Sequence, residues 1–314
     1  MPDPATYLDN AGRDDVLSGG VRMVPIETPS GPFRVWTKRV GNNPDCKLLL
    51  LHGGPGGTHE YFEGVDSYLP AAGVEYYYYD QLGSTYSDQP EDPDLWDLAR
   101  FVDEVEQVRT ALGLGPENFY LLGHSWGGIL AMEYALAHQD QLKGLVISNM
   151  MASIPAYNRY AERVLMPEMD QVALADIKHL EATGSTEDPR YMELLMAEHY
   201  VHHVLRMPQE EWPEPITRMF AHLNQVVYTT MQGPSELGAS GALALWDRTA
   251  DLHQIAVPTL VIGATHDTMD PDHMRWIAET VQHGTYLHCP KGSHCALYDD
   301  QETYMEGLIA FLNR

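Results

Sequence analysis

Three cysteines in 314 residues (Cys46, Cys289 and Cys295) are too few for a disulfide framework, and none has the sequence context of a nucleophile. Such a chain is expected in a reducing compartment, the cytoplasm. Positive charge is also scarce: 19 Lys and Arg stand against 45 Asp and Glu, a formal net charge of −26. Phosphates would be repelled, so no nucleic-acid partner is expected. The excess reads as a well-solvated acidic surface that could draw cationic substrates toward a pocket. No apolar run approaches bilayer-spanning length, so no membrane partner is expected either. Met1-Pro2-Asp3-Pro4 lacks a basic stretch followed by an apolar one, so no signal peptide is expected. Internal repeats and low-complexity segments are absent, and no oligomeric state is assigned.

What is present points to catalysis. Gly123-His124-Ser125-Trp126-Gly127-Gly128 follows the apolar run from Phe119, and a helical pattern (Ile129, Leu130, Met132, Tyr134, Ala135) comes directly after it. In that setting Gly-x-Ser-x-Gly is a nucleophile elbow. The serine needs a strained backbone, and a Cβ at either glycine would meet the strand or the helix. The apolar run Lys47–Leu51 empties into His52-Gly53-Gly54-Pro55-Gly56-Gly57, a shaped loop whose backbone can approach a carbonyl closely. The Gly54 and Trp126 N–H groups are the expected oxyanion donors.

The remaining members should follow the serine in the order acid, then base. Strand 258–263 ends in Ala264-Thr265-His266-Asp267, and strand 285–289 ends in Pro290-Lys291-Gly292-Ser293-His294. Both polar ends lie just past strand C-termini, where open α/β sheets place their sites. Asp267 is the expected acid and His294 the expected base. The preceding strand ends in Ser148 and Asn149, neither of them a carboxylate. Among 15 histidines, His124 reads as packing beside the nucleophile. His199, His202 and His203 imitate a metal cluster, but no Cys pair or third ligand pattern supports one, so no metal is expected. Asp80, after the aromatic strand 76–79, is expected to brace the loops.

Residues 21–40 read as a leading hairpin turning at Pro29-Ser30-Gly31-Pro32, and strands and helices alternate from there to about residue 150. From Ala152 to Ala244 strand signals vanish, and helical stretches are broken by Pro155, Pro167, Pro208, Pro213 and Pro215. The expected architecture is an α/β-hydrolase fold, with a mostly parallel sheet flanked by helices and an inserted helical cap domain. Core residues 1–151 and 245–314 would enclose the cap 152–244, inserted between the sixth and seventh strands, where it would exclude water and select substrates.

His52-Gly53-Gly54-Pro55-Gly56, Asp80-Gln81-x-Gly83, the elbow and the ending at His294 resemble the proline iminopeptidase (prolyl aminopeptidase) family of α/β-hydrolases, and most nearly its tricorn-interacting aminopeptidase branch. The likeness runs from about residue 20 to the end. In the cap it includes Glu211-Trp212-Pro213, Met231-Gln232-Gly233-Pro234-Ser235-Glu236 and Trp246-Asp247. It implies removal of an N-terminal residue, often proline, from a short peptide or amino-acid amide through an acyl-enzyme, without a cofactor. It also implies that Glu236 reads the substrate's free amine. The branch has a second carboxylate directly after the acid; here that position is Thr268, a departure. Asp270, two residues on, is a shifted carboxylate that need not reach the same point, which leaves room for a differently shaped amine pocket and a broader preference than proline. The competing expectations are an esterase, lactonase or other acyl hydrolase with the same triad, and a non-catalytic binding module.

Overall fold

The computed structural model describes residues 4–314; Met1, Pro2 and Asp3, part of the segment read above for a leader, lie outside it. Eight strands form one sheet: β1 (Val21–Thr28), β2 (Gly31–Val40), β3 (Lys47–Leu51), β4 (Glu75–Asp80), β5 (Phe119–His124), β6 (Gly144–Ser148), β7 (Thr259–Ala264) and β8 (Gly284–Cys289). Their order is β1-β2-β4-β3-β5-β6-β7-β8. β2 pairs antiparallel with both β1 and β4, and all other pairs are parallel. The leading hairpin is tighter than its sequence implies. Thr28 faces Gly31 across the pair, so Pro29 and Ser30 alone turn the chain and Pro32 already belongs to β2.

The central strands are buried along their whole length because both sheet faces are covered. Alternation assigns the side chains. Leu49, Leu51, Tyr77 and Tyr79 pack under the helices Leu98–Leu112, Trp126–His138 and Pro271–Thr280. Leu48, Leu50, Tyr76 and Tyr78 face the turn of helix at His59–Ser67 and the last helix, Gln301–Leu312. Local signals set the helix ends. The Asp97 side chain accepts from the Ala99 and Arg100 amides at the start of Leu98–Leu112, and Gly113 ends that helix in a left-handed conformation.

Between β6 and β7 the described residues contain no strand. Helices run Ile154–Tyr160, Gln171–Ala182, Pro189–Leu195, Glu214–His222 and Gln225–Met231, with wider π-helical turns at Ala161–Leu165 and Met196–Val204. A single bridge between Ser153 and Asp247 ties the two ends of this insertion together. The helix Glu214–His222 is fastened to the His59–Ser67 turn through Arg218, which meets Glu60, Glu63 and Glu214, and through His222, 2.9 Å from Glu60. Glu60 is fully buried, so losing these partners would leave a buried charge uncompensated. No helix among the described residues is long and apolar enough to cross a membrane.

Candidate active site

Ser125 occupies the single step between β5 and the helix Trp126–His138, with φ 56° and ψ −128°. An L residue adopts that conformation only when its surroundings impose it. The surroundings are visible at the two flanking glycines. A Cβ on Gly123 would stand 1.9 Å from the Gly127 carbonyl oxygen, and one on Gly127 would stand 2.1 Å from that of Leu51. The Ser125 amide is held by the Ser148 carbonyl at 3.1 Å.

Beside the elbow runs the loop His52–Gly57. Gly54 has φ 114°, and a Cβ there would meet the Gly57 nitrogen at 2.5 Å. The Gly53 amide donates to the Tyr61 hydroxyl at 2.8 Å. Among the described residues the amides of Gly54 and Trp126 have no protein acceptor, as a pair kept for a ligand oxygen would require. The loop after β4 braces this arrangement. Gln81 donates to His52 through its backbone and its side chain, each at 3.1 Å, and its Oε1 accepts from the Trp126 indole at 2.9 Å. Asp80 accepts from both the backbone and the ring of His59 at 2.8 Å. Burial alone would raise the Asp80 pKa, but hydrogen bonds and charge from His59 hold it below the ordinary value.

Asp267 and His294, from the ends of β7 and β8, meet with Oδ1 2.8 Å from Nδ1. Asp267 is further held by the Met269 amide at 3.1 Å on Oδ1 and by Asn149 Nδ2 at 2.6 Å on Oδ2. His294 Nε2 is buried and has no hydrogen-bond partner, and His294 shares one cavity wall with Ser125. No hydrogen bond joins Ser125 Oγ to that nitrogen here; such contacts often tighten only around a substrate. Burial would lower the His294 pKa, yet the Asp267 charge and hydrogen bond, with Glu236 and Asp299 behind them, bring it above the ordinary imidazole value.

His124 proves to be a bridge. Its ring nitrogens lie 3.1 Å from the Tyr61 hydroxyl and 2.8 Å from the His294 carbonyl. Burial, and then His294 nearby, push its pKa down to about 3, so it stays neutral and positions its neighbours. The inserted segment also grips the His294 loop: the His294 and Cys295 amides donate to the His203 and Val204 carbonyls at 2.9 and 2.8 Å.

Ser125, His294 and Gly54 open into a cavity of about 450 Å³, roofed by the inserted helices. Glu236 stands in its wall, on an irregular stretch after the helix Gln225–Met231. The Tyr228 hydroxyl donates to Glu236 Oε1 at 2.6 Å, the Tyr157 hydroxyl and His199 reach its carbonyl, and the Tyr200 hydroxyl accepts from its amide at 3.3 Å. Burial raises the Glu236 pKa, opposed by His294 and by the Tyr228 hydrogen bond.

Three features differ from what the sequence implied or escaped it. Thr268 is fully buried and turned inward, its hydroxyl 3.3 Å from Asp267 Oδ1 and 3.2 Å from His294 Nδ1. Asp270, the shifted carboxylate, is turned to another task. It caps the helix Pro271–Thr280 at the Asp272 amide and lies outside the cavity wall. Asn149, passed over as a non-carboxylate, grips Asp267; only the adjacency of β6 and β7 could have revealed it. His199, His202 and His203 are spread over one helical turn, and no group of three or more His, Cys, Asp or Glu among the described residues is arranged to hold a metal ion.

Comparison with known proteins follows the same lines. Residues 48–301 match the family described as alpha/beta hydrolase fold. A proline iminopeptidase of Flavobacterium johnsoniae is 55% identical over 291 residues, covering 93% of this chain and 97% of its own. Among solved structures, VinJ aligns with a TM-score of 0.85 at 29% identity, covering 93% of this chain and 98% of that one. The proline iminopeptidase of Mycobacterium smegmatis aligns at 0.81 and 29%, covering 93% and 97%.

Proposed function

Because this chain belongs to the proline iminopeptidase family of the alpha/beta hydrolase fold, we propose that it is a serine aminopeptidase releasing N-terminal proline from peptides or amino-acid amides. The observation that carries this reading is one cavity holding Ser125 on its strained elbow, His294 with a free Nε2 backed by Asp267, and a single carboxylate, Glu236.

Ser125 Oγ attacks the scissile carbonyl while His294 Nε2 takes its proton. The carbonyl oxygen, now negative, is received by the Gly54 and Trp126 amides, each worth about 10²–10³ in rate. The His294 proton passes to the departing amine, and the acyl group stays on Ser125. Water, deprotonated by the same nitrogen, then releases proline. Asp267 holds the ring tautomer in which Nε2 is the base and steadies the imidazolium. Glu236, turned toward the cavity by its tyrosines, pairs with the substrate's free ammonium. Residues 152–244 act as the cap that excludes water from this chemistry. Three buried, unpaired cysteines support placing the enzyme in the cytoplasm.

The test is kcat/KM on the anilides of proline, alanine and leucine, an N-acetylated proline anilide and a short-chain ester. Preference for proline anilide with a free amine is expected. Turnover of the ester alone would overturn the reading in favour of a general acyl hydrolase. Ser125→Ala should lower kcat by about 10⁴ or more while leaving the circular-dichroism spectrum unchanged.

A further inference from the structure

The cavity wall has an unusual charge inventory. Glu236 is its only carboxylate, and among the described residues no Lys or Arg lines it. The neighbouring cations are committed elsewhere. Arg218 is held by Glu60, Glu63 and Glu214, and Arg206 lines a separate pocket with His202, His203 and His266. The remaining wall from the cap is largely apolar: Met192, Met196 and Met219 stand with Trp212, Phe220 and Tyr200. The Phe220 ring lies 5.7 Å from that of Trp212 and 6.2 Å from that of Tyr200, forming a continuous aromatic surface.

This inventory bears on the leaving group. When the substrate is a free dipeptide, the departing amino acid carries a carboxylate two bonds beyond the scissile nitrogen. Standard bond lengths put that carboxylate within about 4 Å of the scissile carbon. Ser125 is 8% exposed and His294 4%, so a group that close to them sits inside the chamber and not in bulk water. There it would find no Lys or Arg, and a proton drawn onto His294 to pair with it would take away the base, while an unpaired charge in such surroundings is costly. An amide, or a peptide bond continuing the chain, is neutral at the same point and moves any terminal carboxylate outward by a residue's length. The chamber, about 450 Å³, lies in the range that buries a drug-sized ligand, far more than one imino-acid ring fills. Aromatic and methionine walls offer that remaining space to a large apolar group, with the methionines adapting to its shape.

Resting on the aminopeptidase reading above, we propose that the substrate class is defined on the leaving side. The enzyme takes N-terminal proline from amides and from peptides of three or more residues whose second residue is bulky and apolar, and it discriminates against free dipeptides.

The experiment uses the wild-type chain and measures kcat/KM on prolyl-phenylalanine amide, prolyl-phenylalanine, prolyl-phenylalanyl-glycine and prolyl-glycine amide, with proline anilide as reference. The phenylalanine amide and the tripeptide should each exceed the free dipeptide by about tenfold or more, the factor that corresponds to about 1.4 kcal/mol. The phenylalanine amide should exceed the glycine amide by a similar factor. A free dipeptide within that factor of its amide overturns the charge argument, and a glycine amide within it overturns the apolar one. Failure to cleave proline anilide is a separate result, since it removes the aminopeptidase reading itself.

Discussion

Asn149 and Asp267 form the contact that fixes the acid from behind: Nδ2 of Asn149 donates to Oδ2 of Asp267 at 2.6 Å, leaving Oδ1 to face His294. Asn149 itself has φ 52°, a left-handed conformation that Asn tolerates better than most residues. Asn149→Ala would leave a buried carboxylate oxygen short of a donor, at a cost of about 1–3 kcal/mol. The expected outcome is a fall in kcat of about tenfold with KM little changed, and a lowered urea midpoint. An unchanged kcat would show that Asp267 is held well enough by Met269 and His294.

Thr268 occupies the position where the resembling branch has a carboxylate, yet its hydroxyl touches Asp267 and His294 and does not reach the cavity. Thr268→Glu is therefore expected to place a second negative charge against Asp267 in a fully buried site. Activity on proline anilide should fall by at least about tenfold and the melting temperature should drop, following the cost of an unpaired buried charge. Improved selectivity for free-amine substrates would reverse this account.

Glu236→Gln removes the only carboxylate of the chamber wall. KM for proline anilide is expected to rise about 10- to 100-fold, the scale of a lost charge-assisted hydrogen bond, with the ester much less affected. The same change removes a charge that helps hold the His294 pKa above its ordinary value of 6.5. In the proposed mechanism the neutral imidazole is the base, so activity should fall as pH drops through the His294 pKa. The acid limb of the kcat/KM profile should move to lower pH in the variant. A limb that stays in place would separate Glu236 from His294 electrostatically.

Acid should also unfold the protein. Burial brings His52 to about 4 and His124 and His199 to about 3, each against an ordinary 6.5. Between 6.5 and those values the unfolded chain binds protons that the folded chain refuses, so stability falls as pH falls. Each imidazole contributes on the order of 1 kcal/mol per pH unit. His294, whose pKa is raised, works the other way: its contribution is present below 6.5 and is lost as pH rises through its folded value. Below 6.5 that contribution no longer changes with pH, so the three buried rings set the trend and the urea midpoint should decline steadily from pH 6.5 to 4. A flat profile would mean that these rings are not buried neutral.

The elbow, the glycine loop, the strand order around Asp267 and His294 and the helical insertion could all be read from the sequence, because each rests on local chemistry. Gly123 and Gly127 stand where backbone oxygens approach within about 2 Å of any Cβ, and an apolar run ending in a polar residue marks a strand emptying into a site. What the tertiary structure alone decided is which side chains meet across distant segments. Asn149 reaches Asp267 because β6 and β7 are neighbours. His124 holds the His294 carbonyl across 170 positions. Thr268 and Asp270 are two residues apart in the loop and turn that follow β7, so one faces inward to the acid while the other caps a helix. Spacing along the chain fixes the order and type of such residues. Their direction is set by packing, and no periodicity in one strand or loop records the surface that another will present to it.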